Sequence, residues 1–287
     1  MNSTGIIDTM IGFPDPKIYE RLAKSLSTKP DGAGPKDGLK SPVDYMFKKS
    51  PKDLYSTGDP VTVTLNEMDR FGIELGVITL DGNISREALK QHPDRFIAQG
   101  TVDPNRGMDG IRRMVRQYEE FGVRSFSAFN AGYKPQVAIN DPLMYPIYAK
   151  CIELDVPIFM CAGVPGPRLP MAPQRVELID QVMYDFPELV LVTRHGCEPW
   201  EDLAVKLMLK WPNLYYSTSA FAPKFYPKAI IDYANTRGAD KVIYGGYFPM
   251  GMTMERIMGE MENVPFKKEV WPKFLRENSK KVLKLDL

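Results

Sequence analysis

Histidine is almost missing from this sequence: His92 and His195 are the only two in 287 residues. Cysteine is nearly as scarce. Cys151, Cys161 and Cys197 form an odd set without C-x-x-C spacing, which indicates neither a disulfide framework nor a zinc site. No sign dominates the charge, with 37 Lys and Arg against 36 Asp and Glu, so no overall field favours nucleic acid or an anionic membrane. The longest apolar runs, such as VPIFMCAGV (156–164), are strand-sized and too short to span a bilayer. The opening MNSTGIIDTM has no basic region followed by an apolar one, and the expectation is an unsecreted, cytoplasmic protein. Neither G-x-G-x-x-G nor G-x-x-x-x-G-K follows a strand, so no nucleotide cofactor is expected.

What is present is an apolar content of 44%, enough for a sizeable core, arranged in a regular alternation. Short runs rich in β-branched residues lie at 5–10, 75–80, 96–102, 123–129, 156–163, 189–195, 214–220 and 241–248. Stretches of helical period separate them. In 108–121, for example, Ile111, Val115, Tyr118 and Phe121 fall on one helical face, and Gly122 stops the helix. Near-continuous apolar strands alternating with helices mean a parallel sheet covered on both sides. Eight such units predict a single (β/α)8 barrel domain over 1–287, with a doubly wound open sheet as the alternative. Residues 13–60 break the rhythm with dense Pro, Gly, Lys and Asp and no sustained period. Leaving the C-terminal end of strand one, they read as a lid or cap insertion, or else as a surface excursion or oligomer contact.

Several blocks resemble the amidohydrolase-2 family in order and spacing. They are IIDTMIG where that family has a first-strand D-x-H-x-H, HPDRFIAQGTVDP before and through strand three, and VPIFMCAG at strand five. RHGCEPW follows at strand six, IYGGYFP stands where the family has G-T-D-Y-P at strand eight, and FLRENSKKVLKLD closes the chain. The resemblance implies a barrel and the chemistry of metal-dependent hydrolases and non-oxidative decarboxylases of small carboxylated substrates. Against the pattern, the first-strand histidine ligands fall on Met10 and Gly12, the strand-five histidine on Cys161 and the strand-eight aspartate on Tyr247. Thioether, thiol and phenol are a poor donor set for zinc. His92 precedes strand three, at the end of a barrel that serves stability, so one imidazole is left on the working face. No metal and no cofactor are expected.

By the resemblance, His195 matches the strand-six histidine and is the candidate acid/base group, with Gly196 beside it allowing a ligand to approach the backbone, or else it is a hydrogen-bonded core histidine that satisfies a loop. Asp8 shares a face with Met10 and Gly12, which the family pattern turns toward the pocket. It reads as a general base or as the group orienting His195, or equally as a structural carboxylate, while Met10 lines the substrate side. Arg194, of opposite parity to His195, is expected to face the helix layer. Cys161 is a candidate nucleophile paired with His195 across neighbouring strands, or an inert core thiol. Arg168, in GVPGPR, is suited to clamping a carboxylate, or is a surface arginine. Tyr247 reads as an oxyanion donor or as filler of the vacated metal cavity, and Ser217 with Ser219 as substrate contacts. The five methionines between 250 and 261 form either an apolar substrate wall or helix core.

The first functional reading is a metal-independent hydrolase of a small, fairly hydrophobic ester, lactone or related C–O or C–N substrate. The alternatives are a decarboxylase and a catalytically inactive small-molecule binding protein. The expected partner is a small molecule, with no nucleic acid or membrane and a possible homo-oligomer.

Overall fold

Parallel strands covered on both faces favour β-branched and aromatic residues throughout, and each apolar run of the sequence forms a strand. The computed structural model describes residues 5–26, 43, 45–47 and 51–287. Its strands are β1 (Ile6–Asp8), β2 (Ile73–Thr79), β3 (Phe96–Thr101), β4 (Ser125–Ala128), β5 (Ile158–Cys161), β6 (Leu191–Arg194), β7 (Leu214–Ser217) and β8 (Val242–Ile243). They pair in parallel in sequence order, with helices between them. Just past β8 the Tyr244 carbonyl accepts the Thr9 N–H at 3.3 Å, and the Phe248 carbonyl accepts the Gly12 N–H at 2.9 Å, joining the last strand's end to the first's. This is the (β/α)8 barrel.

Ile7, Val77, Ile97, Phe159, Val192, Tyr215 and Ile243 belong to one buried cluster, fixing which residue of seven of the eight strands points into the barrel. The intervening residues meet the helices. On the helix Gly107–Phe121 the face turned to the sheet carries Ile111, Met114 and Gln117, while Tyr118 is exposed. The apolar face expected from the sequence is therefore rotated. Gln117 accounts for the shift, because its amide oxygen accepts the Thr101 N–H at 3.0 Å and its nitrogen donates to the Thr101 carbonyl at 3.0 Å, satisfying the end of β3.

Within the expected insertion at 13–60, Pro16–Leu26 is helical despite the absence of a sustained period in the sequence there. Residues 27–42, 44 and 48–50 lie outside the described ones. The described remainder reaches the C-terminal ends of the strands: the Tyr45 hydroxyl donates to the Gly166 carbonyl at 2.5 Å, and the Phe47 ring lies 5.7 Å from that of Tyr247. Among the described residues no helix is long and apolar enough to cross a membrane. Met254 and Met261 are buried on the helix Met254–Met261, so methionines there pack helix core.

Candidate active site

β6 ends one residue earlier than its apolar run because His195, Gly196 and Cys197 all take positive φ, of 63°, 90° and 60°. Only Gly adopts that region without cost, so a histidine and a cysteine there mark a turn that the surroundings enforce. Gly196 is needed for the turn and for packing, since a Cβ there would stand 2.3 Å from the Phe221 ring. The space beside its backbone belongs to Phe221, not to a ligand.

The turn also overturns the parity expected for Arg194. Strand alternation stops at residue 194, so the inward series Val192–Arg194 is followed by a histidine placed by the turn and not by the pleat. Arg194 enters the barrel and is only 4% exposed. Its Nη1 donates to Ser127 Oγ at 2.6 Å and its Nη2 to Gln99 Oε1 at 3.1 Å, while the guanidinium carbon lies 5.7 Å from the centre of the Phe159 ring. Gln99 in turn donates to Ser125 Oγ at 2.9 Å. Burial pulls the Arg194 pKa down, but a guanidinium retains its proton in proteins, so a cation stands inside the barrel.

His195 lies beside it, half-buried at the C-terminal end of β6. Its main-chain N–H donates to Ser219 Oγ at 3.3 Å, and Nδ1 meets the same oxygen at 3.3 Å. Its ring stands edge-on to Tyr247 at 5.6 Å. Desolvation first, and the Arg194 charge second, hold the imidazole well below its ordinary pKa, so it is neutral at physiological pH. Ser217 Oγ faces Thr9 Oγ1 at 3.5 Å on the same inner surface, and Gly245 makes room for them, because a Cβ there would stand 2.6 Å from Ser217 Oγ. Ser219 thus meets His195, and Ser217 meets the end of strand one.

Asp8 is not in this group. It pairs with Gly76 on the outer side of the sheet, while its neighbours Ile7 and Thr9 point inward. Its Oδ1 accepts the Met10 N–H at 2.9 Å and the Gly246 N–H at 2.7 Å, and Oδ2 faces the Tyr244 hydroxyl in the helix layer. The Tyr244 hydroxyl is the side-chain neighbour that favours the carboxylate there. Burial pushes the carboxyl up to about 7 against its two main-chain donors and the Tyr244 hydroxyl. The expectation that Asp8 shares the pocket with Met10 and Gly12 is therefore corrected: the two bonds at Oδ1 hold its carboxylate behind the wall, and it makes no hydrogen bond to His195. Met10 is half-buried and packs against the apolar layer that includes Tyr244.

Cys161 is buried with its thiol pushed up to about 11, chiefly by desolvation, and Arg194 is the charge it feels. Among the described residues it makes no hydrogen bond to His195, so the thiol–imidazole pair expected from adjacent strands is not formed; His195 turns to Ser219 instead. Arg168 sits exposed at the rim with its guanidinium 4.9 Å from the centre of the Tyr45 ring. Tyr247 is buried, and desolvation keeps its phenol protonated. His92 packs edge-on to Phe96 at 6.4 Å, before β3.

The residues at the family's ligand positions do not fit a divalent metal. Met10 and Gly12 offer no hard donor, the Cys161 thiol and Tyr247 phenol hold their protons, and both feel the Arg194 cation. Among the described residues no group of three or more His, Cys, Asp or Glu is placed to hold a metal ion.

The residues that sequence reasoning missed are Thr9, Gln99, Ser125, Ser127 and Tyr133 in addition to Arg194. Polar side chains inside apolar strands were the available signal. Tyr133, in the loop after β4, has a buried hydroxyl and carries no such signal.

The family model described as amidohydrolase matches residues 59–285. An uncharacterised TIM-barrel protein from Bordetella bronchiseptica superimposes with a TM-score of 0.74 at 22% identity, covering 98% of this chain and 99% of the other. A 5-carboxyvanillate decarboxylase from Sphingomonas paucimobilis gives 0.68 at 14% identity over 98% and 99% of the two chains. A 2,6-dihydroxybenzoate decarboxylase from Rhizobium gives 0.63 at 16% identity over 99% and 100%. At such identities the likeness is one of fold. No curated protein matches the sequence.

Proposed function

This chain belongs to the amidohydrolase family, and we propose that it is a metal-independent hydrolase of a small, fairly apolar ester, lactone or related substrate, with His195 as general base. The observation carrying this reading is the placement of His195: neutral, in an enforced turn at the C-terminal end of a barrel strand, with Nδ1 against Ser219. With the ring proton on Nδ1, Ser219 Oγ accepts from both the main-chain N–H and the ring, and Nε2 presents a lone pair to a water. The protonated Tyr247 phenol, edge to face with the ring, supplies a donor for the oxyanion that forms as water attacks the acyl carbon. Cys161, a buried thiol with a raised pKa, takes no covalent part. The 13–60 insertion acts as a lid in this reading, since its Tyr45 and Phe47 reach the loops after β5 and β8.

A second reading, non-oxidative decarboxylation, draws on the buried Arg194, which is able to hold a carboxylate. The decarboxylases of 5-carboxyvanillate and 2,6-dihydroxybenzoate that share the fold lend it support. The two readings separate on products from a panel of esters, lactones and aromatic acids: acid release supports hydrolysis, and carbon dioxide release the second reading. On the substrate so found, His195→Ala is expected to lower kcat by about 10² to 10⁴, while His92→Ala leaves it unchanged. Equal turnover by wild type and His195→Ala removes His195 from the mechanism.

A further inference from the structure

Three successive residues of left-handed backbone after β6 need a cause, because glycine alone takes that conformation freely and two of the three, His195 and Cys197, are not glycine. The cause lies largely in β7 and its extension. The His195 N–H donates to Ser219 Oγ at 3.3 Å, and the Gly196 carbonyl accepts from the Tyr216 hydroxyl at 3.1 Å. The Cys197 carbonyl accepts the Trp200 N–H at 2.8 Å, from three residues further on. Of these three bonds, the two that leave the turn's own segment both come from side chains of the neighbouring strand and the residues just past it. Ser219 is held in its turn by a left-handed neighbour: Ala220, at a φ of 70°, donates its N–H to the Gly246 carbonyl at 3.1 Å. Three of the five non-glycine residues with positive φ among the described ones, His195, Cys197 and Ala220, thus stand in two turns that face each other at the barrel mouth. Strain of this kind persists only where the surroundings over-determine it, and it collects where function sets the geometry.

We propose that Ser219 and Tyr216 are positioning residues for His195: Tyr216 holds the left-handed turn that sets the ring edge-on to Tyr247, and Ser219 fixes the ring proton on Nδ1, leaving Nε2 as the base. The proposal rests on the hydrolase reading for the role of His195. Ser219 and Tyr216 are 0% and 1% exposed, so both are closed to a substrate and act through the histidine. The Ser219 oxygen has two lone pairs and meets the main-chain N–H and the ring Nδ1 of the same residue, at 3.3 Å each. That double contact ties the ring to its own backbone, and the bond at one ring nitrogen selects the tautomer at the other. Tyr216 is the more distant support. Removing its hydroxyl takes a donor from a buried carbonyl and loosens the turn without touching the ring.

The scarcity of histidine makes the test direct, because nitrogen NMR spectra of the imidazoles contain only two side chains, told apart by His92→Ala. In the full-length wild type at neutral pH, His195 is expected as the neutral Nδ1–H tautomer. Ser219→Ala is expected to shift it toward the Nε2–H form and to lower kcat about tenfold at an unchanged KM, as the loss of one hydrogen bond warrants. Ser219→Cys, of similar shape but a weaker acceptor, should fall between the two. Tyr216→Phe is expected to keep the Nδ1–H tautomer, to move the His195 ring signals while those of His92 stay still, and to lower kcat severalfold. A wild-type ring protonated on Nε2 overturns the role of Ser219, and does so even where a variant fails to fold. A tautomer that Ser219→Ala leaves unmoved, whatever its kcat, or moves with kcat unchanged, overturns it equally. Tyr216→Phe with wild-type signals and kcat overturns the role of Tyr216. The spectra need no turnover: the expected tautomer change in a protein that hydrolyses no ester keeps the positioning and rejects the hydrolase reading, while ester turnover with an unmoved tautomer does the reverse.

Discussion

Arg194 and Asp8 are both buried ionisable residues without an ionic partner among the described residues, but they lie on opposite faces of the same sheet. Asp8 faces the helix layer, where two main-chain N–H groups hold Oδ1 and Tyr244 stands before Oδ2. Arg194 faces the barrel interior, among Gln99, Ser127 and Phe159. The chemical difference between them decides what each can be. A carboxyl relieves its burial by taking up a proton, and the rise of Asp8 to about 7 is that relief. A guanidinium has no such escape at accessible pH, and the side chains that accept from it, Ser127 and Gln99, are neutral. The outer charge is lost by protonation, whereas the inner one persists at every accessible pH.

The largest effect that sharpens this contrast comes from Asp8→Asn. Its side chain keeps the acceptor for Met10 and Gly246 and turns a donor toward the Tyr244 hydroxyl. Because the folded pKa is raised from 3.8 to about 7, the wild type is stabilised by proton uptake below pH 3.8 and loses that stability as pH rises through this window. Above pH 7 the variant should exceed the wild type by about 4 kcal/mol, the shift taken at about 1.4 kcal/mol per unit. The advantage should vanish toward pH 4. His195 has the opposite sign: its lowered pKa makes stability fall as pH drops below 6.5, a slope that Asp8→Asn exposes. Urea unfolding at a series of pH values reads both, and turnover of this variant should match the wild type. An inactive, folded Asp8→Asn would return Asp8 to the chemistry and break the comparison.

The smaller effect is that of Arg194→Met on stability. Replacing an uncompensated buried cation by an apolar chain of similar length should raise stability by about 1 kcal/mol, since removing buried charge is often neutral or stabilising. The gain should be the same at pH 5 and pH 9, because the guanidinium does not titrate there. A loss of about 3 kcal/mol or more would mark Arg194 as a structural tie for Gln99 and Ser127.

The eight strands were legible because runs of β-branched residues recur at regular spacing, and the helix 107–121 because its period and the Gly122 stop agree. Which residues face inward was not legible. In a parallel sheet both faces are apolar, so alternation carries no label for inside and outside. Reading outward from His195 failed for a particular reason: that residue sits in a left-handed turn, and the pleat does not extend through it. On strand one it was the family pattern that placed Asp8 in the pocket, whereas Ile7 and Thr9 are the inward residues. The shared face of Ser217 and Ser219 was legible, and Ser219 meets His195. Arg168 sits exposed at the rim against Tyr45, a contact between two loops that no periodicity encodes.

The central claim is that the barrel mouth works by acid–base chemistry on its own side chains, without a divalent metal. Turnover after exhaustive treatment with a strong chelator tests it most directly. The account predicts kcat within about twofold of the untreated enzyme, because thioether, thiol and phenol at the ligand positions are a poor donor set for a metal whose Lewis acidity, worth several kcal/mol, would be lost. Activity abolished by the chelator and restored by one equivalent of zinc or manganese would contradict it.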